Sequence, residues 1–187
     1  FAPEGHPDPS EQWDPRDSRA LREILRFTFP RQKKDRKLCI ADYFHQAAPD
    51  AYDVIGVQLV TVGAKASEHA KILFDSDRYQ EYLYFHGLSV ESAEGLAEYW
   101  HKVVRGEMGI GADDATEIKK LFSQQYRGSR YSFGYPACPS LEDQAKLFVL
   151  LRPERIGVTL TEEYQLVPEQ STTAIVVHHP EARYFTL

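Results

Sequence analysis

The sequence predicts an α+β domain, in which a twisted, mostly antiparallel sheet has helices packed on it. Two observations predict this class. Segments rich in β-branched and aromatic residues lie towards both ends of the chain, and apolar residues at helical spacing occupy its middle. Strands and helices therefore do not alternate as they would in a doubly wound sheet. The 187 residues, of which 42% are hydrophobic, suffice for one domain with its own core.

The N-terminal segment, residues 1–16, predicts a linker because four prolines stand there among polar residues. The domain itself is expected over residues 17–187, as a fragment of a multidomain protein. Asp17 and Ser18 are suited to cap a short helix, which Pro30 would end.

Two apolar segments then predict adjacent strands at residues 38–44 and 54–62. The second is apolar at nearly every position, so we expect both of its faces to be covered in the middle of the sheet.

The middle of the chain, residues 66–105, predicts helices because apolar residues recur there with a period near 3.6. Gly87 is expected to interrupt this stretch and Ser89 to cap the second helix. The buried stripe of that helix is expected at Leu96, Tyr99, Trp100, Val103 and Val104.

The C-terminal part predicts two shorter helices, starting at Asp113 and capped by Ser140. Strands are expected to follow in the tail, at residues 163–167, 173–177 and 184–187.

Composition argues against several functions. The formal net charge of −6 does not favour nucleic acid, and no apolar stretch approaches the length of a membrane span. Cys39 and Cys138 have no partner spacing, so we expect free thiols in a reducing cytoplasm. Adjacent strand residues point to opposite faces, so His178 and His179 cannot share a metal ion, and no metal site is predicted.

The segment 126–139 is unusually rich in aromatic rings, arginine, glycine and proline for a connection between two helices. Its prolines and glycines favour a rigid loop that exposes its peptide groups. Arg130 offers a planar fork for a carboxylate or phosphate, and the tyrosines offer flat faces for an aromatic ligand. Two interpretations stay open: a site for a small anionic ligand with an aromatic part, or arginines paired with surface carboxylates and rings that fill a helix junction.

Glu94 is a second candidate. It is expected near the N-terminal end of the long helix, where the helix dipole favours a carboxylate, and it could accept hydrogen bonds from hydroxyl or ammonium groups. The alternative is an ordinary solvated glutamate.

At this loop the sequence resembles a known family. Arg127-Gly128 and Arg130-x-x-x-Gly134-Tyr135-Pro136-Ala137-Cys138-Pro139 resemble the signature of the C-terminal activation domain of cobalamin-dependent methionine synthase. Further blocks match in order, from Phe29-Pro30-Arg31-Gln32 and Cys39 to Phe44, through Glu94-x-x-Ala97-Glu98-Tyr99-x-His101, to Leu160-Thr161-Glu162 and His179-Pro180-Glu181-x-x-Tyr184-Phe185.

The resemblance implies a module that binds S-adenosylmethionine and presents its methyl group to reduced cobalamin, so that inactive enzyme is rescued by reductive methylation. The enzyme would be a methyltransferase of methionine biosynthesis, and this fragment alone a ligand-binding module without turnover or catalytic residues of its own. Cobalamin would be held by a neighbouring module, zinc only elsewhere in the full-length enzyme, and electrons supplied by a flavodoxin-like or other donor.

The resemblance also implies site residues. Arg130 would hold the carboxylate of S-adenosylmethionine, Ser132 would contact the ligand through its backbone, and Tyr135 would help to shape the pocket. Tyr184 and Phe185 match a Tyr-Tyr pair that flanks the ligand in the family. Glu94 matches a family carboxylate near the site.

Departures from the family pattern concern polar detail. Ser132 and Phe133 replace Ala-Pro, Phe185 lacks a hydroxyl, and Gln124 stands where some members have Glu. The family domain also has an upstream half, with an acidic ligand contact, that this chain does not include.

The alternative function is a non-catalytic docking surface for the cobalamin module or for a flavodoxin-like reductase.

Overall fold

A three-stranded antiparallel sheet organises the computed structural model, which describes residues 23–34, 36–46 and 53–187. Strand β5, Ser171–Val177, lies between β1, Gly56–Thr61, and β2, Ser129–Ser132. A separate two-stranded ribbon pairs β3, Thr159–Leu160, with β4, Leu166–Val167. The predicted α+β class is confirmed.

Four α-helices accompany the sheets in the described residues. They are α1, Ala64–Asp75; α2, Tyr79–Glu107; α3, Ile118–Phe122; and α4, Gln144–Leu151. The 29-residue α2 packs against α1, β1 and β5, so it lies across the sheet. No helix in the described part of the chain combines the length and apolarity needed to cross a membrane.

The central strand is not the one the sequence predicts. β5 pairs on both edges, and Ala174, Ile175, Val176 and Val177 are at most 1% exposed, whereas β1 is an edge strand. Both strands are apolar, and a continuous apolar run indicates covered faces without indicating which edges are paired.

The predicted strand at residues 38–44 is wrong, because residues Ile40–Tyr43 form a 3₁₀ helix. Ile40 and Tyr43 are three residues apart and both buried, so this single turn directs its two large side chains into the core.

The predicted break at Gly87 is also wrong, because α2 runs through it without interruption. The break lies earlier, between α1 and α2, where Asp77 has a φ of 57°. Ser89 therefore caps nothing and donates its hydroxyl to the Phe85 carbonyl one turn back, at 2.7 Å.

The buried stripe of α2 lies on a different face from the predicted one. Its buried residues are Ser89, Ala93, Ala97, His101 and Arg105. Of the predicted stripe, Leu96, Tyr99 and Trp100 are 38%, 62% and 45% exposed, and Val103 and Val104 are half-buried. Small residues let the helix approach the sheet closely, and a hydrophobicity pattern does not single them out.

The remaining elements agree in part. The strand expected at 173–177 is confirmed as β5, whereas 163–167 is a strand only at its last two residues and 184–187 is not a strand. Helix α3 begins at Ile118, not at Asp113, and α4 begins at Gln144, not directly after Ser140.

The N-terminal expectations are only partly open to comparison. Residues 23–30 are not helical, so the described part of the helix expected up to Pro30 is wrong. The linker expected over residues 1–16, and the cap at Asp17 and Ser18, lie outside the described residues. Cys39 and Cys138 are both free, as predicted, and both are buried.

Candidate ligand-binding site

The site is centred on the guanidinium of Arg130, which β2 presents to α2. Arg130 Nη2 donates to Glu94 Oε2 at 2.8 Å, Nε donates to Glu98 Oε1 at 2.9 Å, and Nη1 donates to Ser132 Oγ at 3.0 Å. The Arg130 side chain is 13% exposed, whereas the Glu94 and Glu98 side chains are 37% and 39% exposed. The largely buried guanidinium of Arg130 therefore pairs with two carboxylates that are partly exposed to solvent.

Arg130 stays charged in this setting. Burial by itself would lower the pKa of Arg130, but the hydrogen bond to Glu94 and the charge of Glu98 together raise that pKa above its ordinary value.

The two glutamates reach Arg130 because α2 lies close to the sheet. Glu94 and Glu98 are four residues apart and so share one helix face. Beside them Ala93 and Ala97 are 3% and 0% exposed. Gln58 of β1 donates its side-chain amide to the Ala97 carbonyl at 3.2 Å, which fastens the helix to the strand.

A cavity of about 140 Å³ opens beside the guanidinium. It is lined by charged, polar and aromatic residues, namely Glu94, Glu98, Gln124, Tyr126, Arg130, Ser132, Tyr135 and Tyr184. The structure thus brings together five of the six residues predicted for the site, from three separate parts of the chain.

Phe185, the sixth, does not line this cavity. It is 6% exposed and belongs to the core, where its ring lies 5.9 Å from that of Tyr131. Tyr184 and Phe185 therefore point to different surroundings, one to the cavity and one to the interior, as neighbours in an extended segment do.

Tyr135 is placed by a tight turn. Gly134 N–H donates to the Cys138 carbonyl and Cys138 N–H to the Tyr135 carbonyl, both at 2.9 Å. Gly134 has a φ of 85°, and a Cβ there would lie 2.8 Å from a Leu141 methyl, so only glycine fits without a shift. The turn leaves the Tyr135 side chain half exposed at the cavity.

Tyr184 is positioned by hydrogen bonds to the backbone carbonyls of residues on either side of it. The buried Tyr131 hydroxyl donates to the Arg183 carbonyl at 2.8 Å, and the Gln32 amide donates to the Thr186 carbonyl at 2.5 Å. Burial raises the pKa of Tyr184. The C-terminal segment is thus fixed by side chains of β2 and of the N-terminal segment, without strand pairing.

Tyr126, which lines the cavity, packs against a buried polar cluster. Arg105 lies 4.0 Å from the Tyr126 ring centroid, and the His101 ring meets that ring edge-on at 5.1 Å. Arg105 also donates from Nε and Nη2 to the two carboxylate oxygens of Asp114, at 2.8 and 2.6 Å.

Burial sets the protonation of this cluster. It lowers the pKa of His101 to about 3, helped by the charges of Arg105 and Arg130, so His101 is neutral at physiological pH. Burial also raises the pKa of Tyr126, which keeps its hydroxyl protonated.

Two details differ from the expectations. Glu94 lies in the middle of α2, far from its first turn, so the helix dipole does not explain its presence. Segment 126–139 is not a pure loop, since it contains β2, and Ser132 contributes its hydroxyl to Arg130. The alternative interpretation was correct that Arg130 pairs with carboxylates, and those carboxylates line the cavity.

Sequence reasoning missed three residues that line the cavity: Glu98, Gln124 and Tyr126. The spacing of four between Glu94 and Glu98 is the signal that could have found the first. Tyr126 lies in the special segment 126–139 and Gln124 was noted as a departure from the family, but nothing local to either residue indicated that the tertiary fold brings it to the helix.

The paired histidines have separate contacts. His178 Nε2 lies 2.6 Å from Asp53 Oδ1, and the His179 ring lies 5.6 Å from the Tyr43 ring. Among the residues that the structure describes, no group of three or more His, Cys, Asp or Glu could hold a metal ion.

A family comparison decides the identity of this fold. The family described as "Vitamin B12 dependent methionine synthase, activation domain" matches residues 11–187. The chain belongs to this activation-domain family.

Named relatives agree. The chain is 49% identical over 172 residues to the methionine synthase of Mycobacterium tuberculosis (strain ATCC 25618 / H37Rv), and 48% identical over 172 residues to that of Mycobacterium leprae (strain TN). Each match covers 87% of this chain and 14% of the relative, so the chain spans about a seventh of the length of those proteins.

A solved structure has the same fold. The crystal structure of the MetH reactivation domain bound to AdoHcy superposes with a TM-score of 0.77 at 26% sequence identity. The match covers 84% of this chain and 50% of the solved one.

Proposed function

We propose that the cavity beside Arg130 binds S-adenosylmethionine, and that the chain serves as a reactivation module within a methionine synthase. The observation that carries the proposal is the guanidinium of Arg130 held between Glu94 and Glu98, in a cavity walled by tyrosine rings. The solved relative bound to AdoHcy supports the same ligand class.

The charges of the site suit this ligand. One arginine and two glutamates give the cavity a net charge of about −1, and S-adenosylmethionine carries one carboxylate, one ammonium and one sulfonium, about +1 in all. Arg130 uses three of its five N–H groups on protein partners, so two remain for a ligand carboxylate. The carboxylates of Glu94 and Glu98 are partly exposed, so they can accept hydrogen bonds from the ligand ammonium and stabilise the charge of the sulfonium.

The tyrosines suit the rest of the ligand. Tyr126, Tyr135 and Tyr184 present aromatic surfaces beside the charged groups, and such surfaces favour both an adenine ring and a positively charged sulfur. Tyr126 is buried, whereas Tyr135 and Tyr184 are exposed and offer more ring surface to a ligand. We propose no role in the cavity for the Phe185 ring, which lies in the core.

The role of this chain in the reaction is to bind and orient. The sulfonium of S-adenosylmethionine supplies an activated methyl group when bound, so the residues here have to position it towards reduced cobalamin. In this proposal cobalamin is held by a neighbouring module, zinc only elsewhere in the enzyme, and a flavodoxin-like or other donor supplies the electron.

Calorimetry with S-adenosylmethionine tests the proposal, on a polypeptide that also carries the upstream half of the domain. Arg130→Ala is expected to weaken binding by about ten- to a hundredfold, because a charge-assisted hydrogen bond contributes roughly 1.5–3 kcal/mol. Arg155→Ala, at an exposed arginine outside the cavity, is the matched control and should bind like the parent.

The two carboxylates give a sharper test. Glu98→Gln removes one negative charge with little change of shape, so it should weaken S-adenosylmethionine more than AdoHcy, which lacks the sulfonium charge. The absence of saturable binding by the parent, or equal affinity in the parent and Arg130→Ala, would contradict the proposal. Association with the cobalamin module that is indifferent to both the ligand and Arg130→Ala would support the docking alternative.

A further inference from the structure

Tyr126 differs from the other tyrosines that line the cavity beside Arg130, here named the Arg130 cavity. Tyr126 is 5% exposed, whereas Tyr135 and Tyr184 are 50% and 41% exposed. The Tyr126 hydroxyl makes no hydrogen bond with any residue that the structure describes. A buried polar group without a partner is costly, so such a group in the wall of a cavity is a candidate ligand contact.

The Tyr126 hydroxyl reaches open space. Among the side-chain nitrogen and oxygen atoms of the described residues, those that are completely enclosed and lack a partner include both ring nitrogens of His101, but not this hydroxyl. Tyr126 borders two cavities, the Arg130 cavity and a second one that is lined by Arg127 and Arg183. The hydroxyl therefore opens towards one of these two spaces.

The charges around the hydroxyl place it on the side of the Arg130 cavity. Burial raises the pKa of Tyr126, the carboxylate of Glu98 adds to that rise, and the guanidinium groups of Arg105 and Arg130 oppose it. Glu98 and Arg130 line the Arg130 cavity, and neither lines the second cavity. The hydroxyl thus faces the Arg130 cavity, where it stays protonated and can donate a hydrogen bond.

Two buried residues pack on the Tyr126 ring. Arg105, which is 2% exposed, lies 4.0 Å from the ring centroid, and His101, which is 0% exposed, meets the ring edge-on at 5.1 Å. Two hydrogen bonds to Asp114 hold Arg105 in turn. These contacts restrict the ring before a ligand binds, which lowers the entropy that binding costs.

The Arg130 cavity suits one end of the proposed ligand. Its volume is about 140 Å³, whereas pockets that hold a whole drug-sized molecule usually measure about 300–1,000 Å³. Charged and polar groups line it, so the amino-acid end of S-adenosylmethionine is the part that it suits. Arg130 has N–H groups left for a carboxylate, and the Tyr126 hydroxyl is a further donor at the same place.

We propose that Tyr126 is a ligand-binding residue, whose hydroxyl donates a hydrogen bond to the carboxylate of S-adenosylmethionine beside the guanidinium of Arg130. This inference rests on the proposed function, because it concerns the same cavity and the same ligand. It adds a contact to one end of the ligand. The hydroxyl of Tyr126 should strengthen the binding of a ligand with this carboxylate, and contribute nothing to the binding of an analogue without it.

Calorimetry with two ligands tests the proposal, on a polypeptide that also carries the upstream half of the domain. The ligands are S-adenosylmethionine and decarboxylated S-adenosylmethionine, in which a hydrogen replaces the carboxylate. Tyr126→Phe removes only the hydroxyl. It should weaken the binding of S-adenosylmethionine about tenfold, as the loss of a hydrogen bond to a charged group does, and leave the affinity for the decarboxylated ligand within about twofold of the parent.

Tyr43→Phe is the matched control. Tyr43 is also buried and its hydroxyl also lacks a partner among the described residues, but that hydroxyl is completely enclosed and does not line the Arg130 cavity. Tyr43→Phe should therefore bind both ligands like the parent.

The outcomes separate this inference from the proposed function. The absence of saturable binding of S-adenosylmethionine by the parent would contradict both. Binding by the parent with equal affinity in Tyr126→Phe would overturn only the contact of the hydroxyl. An equal loss of affinity for the two ligands would overturn it too, because the hydroxyl would then act on another part of the ligand.

Carbon-13 NMR gives a second measurement, which does not require the decarboxylated ligand to bind. S-adenosylmethionine is labelled at its carboxylate carbon. The resonance of the bound ligand should differ between the parent and Tyr126→Phe, and should be the same in the parent and Tyr43→Phe. One frequency in all three proteins would overturn the proposal.

Discussion

The inner and outer faces of helix α2 differ in the kind of residue that each carries. The inner face, against the sheet and the cavity, buries small and polar residues such as Ala97, His101 and Arg105. The outer face carries Leu88 and Tyr99, which are exposed. Close approach, not hydrophobicity, is what the inner face requires, because Glu94 and Glu98 reach Arg130 only if the helix lies close to the sheet.

The inner face also carries a buried charged group, Arg105, whose partners come from the surrounding structure. Arg105 is 2% exposed, and the described structure pairs it with Asp114 and places it over the Tyr126 ring. Changes on this face should therefore affect stability and site together, whereas the same changes on the outer face of the isolated chain should affect neither.

The largest expected effect is the loss of the partner of Arg105. Asp114→Ala should lower the free energy of unfolding by about 3–5 kcal/mol, because it leaves a buried charge without its counter-ion. Urea denaturation measures the loss. Glu117 and Lys120 form an exposed ion pair, with side chains 64% and 48% exposed. Glu117→Ala breaks that pair and should lower the free energy of unfolding by less than about 1 kcal/mol. Equal losses in the two variants would contradict the distinction between buried and exposed groups.

A smaller effect is expected from adding volume on the inner face. Ala97→Leu should cost about 1–3 kcal/mol, because Ala97 is 0% exposed and the larger side chain pushes α2 away from β1. The same shift should weaken S-adenosylmethionine binding by separating Glu94 and Glu98 from Arg130.

Ser92→Leu adds volume on the outer face and serves as the matched control. It should change the stability of this chain by no more than about 0.5 kcal/mol. A destabilisation as large as that of Ala97→Leu would show that the outer face is already packed within this chain.

A more gradual effect, spread over several pH units, is a pH dependence that belongs to His101. Its pKa is about 3 in the folded chain, against about 6.5 when unfolded, so between these values the unfolded state binds one more proton than the folded state. Stability should thus fall on acidification below about pH 6.5, by roughly 1 kcal/mol per pH unit from this residue. His101→Gln should remove that part of the slope in urea denaturation at pH 7, 6 and 5.

His45→Gln, at an exposed histidine, is the control and should retain the full slope. An unchanged slope in His101→Gln would contradict the neutral buried state of His101.

Much of the site could be predicted because its residues are grouped in the sequence. Arg130, Ser132 and Tyr135 lie within one short segment whose composition is unusual for a connection. Glu94 was a candidate from its expected place on a helix and matched a family carboxylate, whereas Tyr184 was predicted only through the family resemblance. Glu98 and Tyr126 stood in segments that were singled out but were not named as site residues, since the role of a helix glutamate or a loop tyrosine depends on the groups that fold beside it.

The fold likewise combines features that the sequence predicts with features that it does not. The apolar period of residues 66–105 predicts helices, but the exposed Tyr99 and the buried Ala93 reverse the face that the period assigns to the core. The predicted strand near Ile40 is a 3₁₀ helix, in which the buried Ile40 and Tyr43 lie on one side, whereas in a strand they would point to opposite faces.

By itself the sequence determined the α+β class, the helical character of the middle of the chain, the special segment around Arg130 and the family, because composition, periodicity and ordered motifs are local properties of the chain. The tertiary structure alone decided that β5 is the central strand, that α2 turns its alanines to the sheet, and that Tyr126 and Tyr184 meet at one cavity. These features depend on which surfaces of distant segments fit together, and pairing between distant segments is not encoded in the pattern of either segment alone.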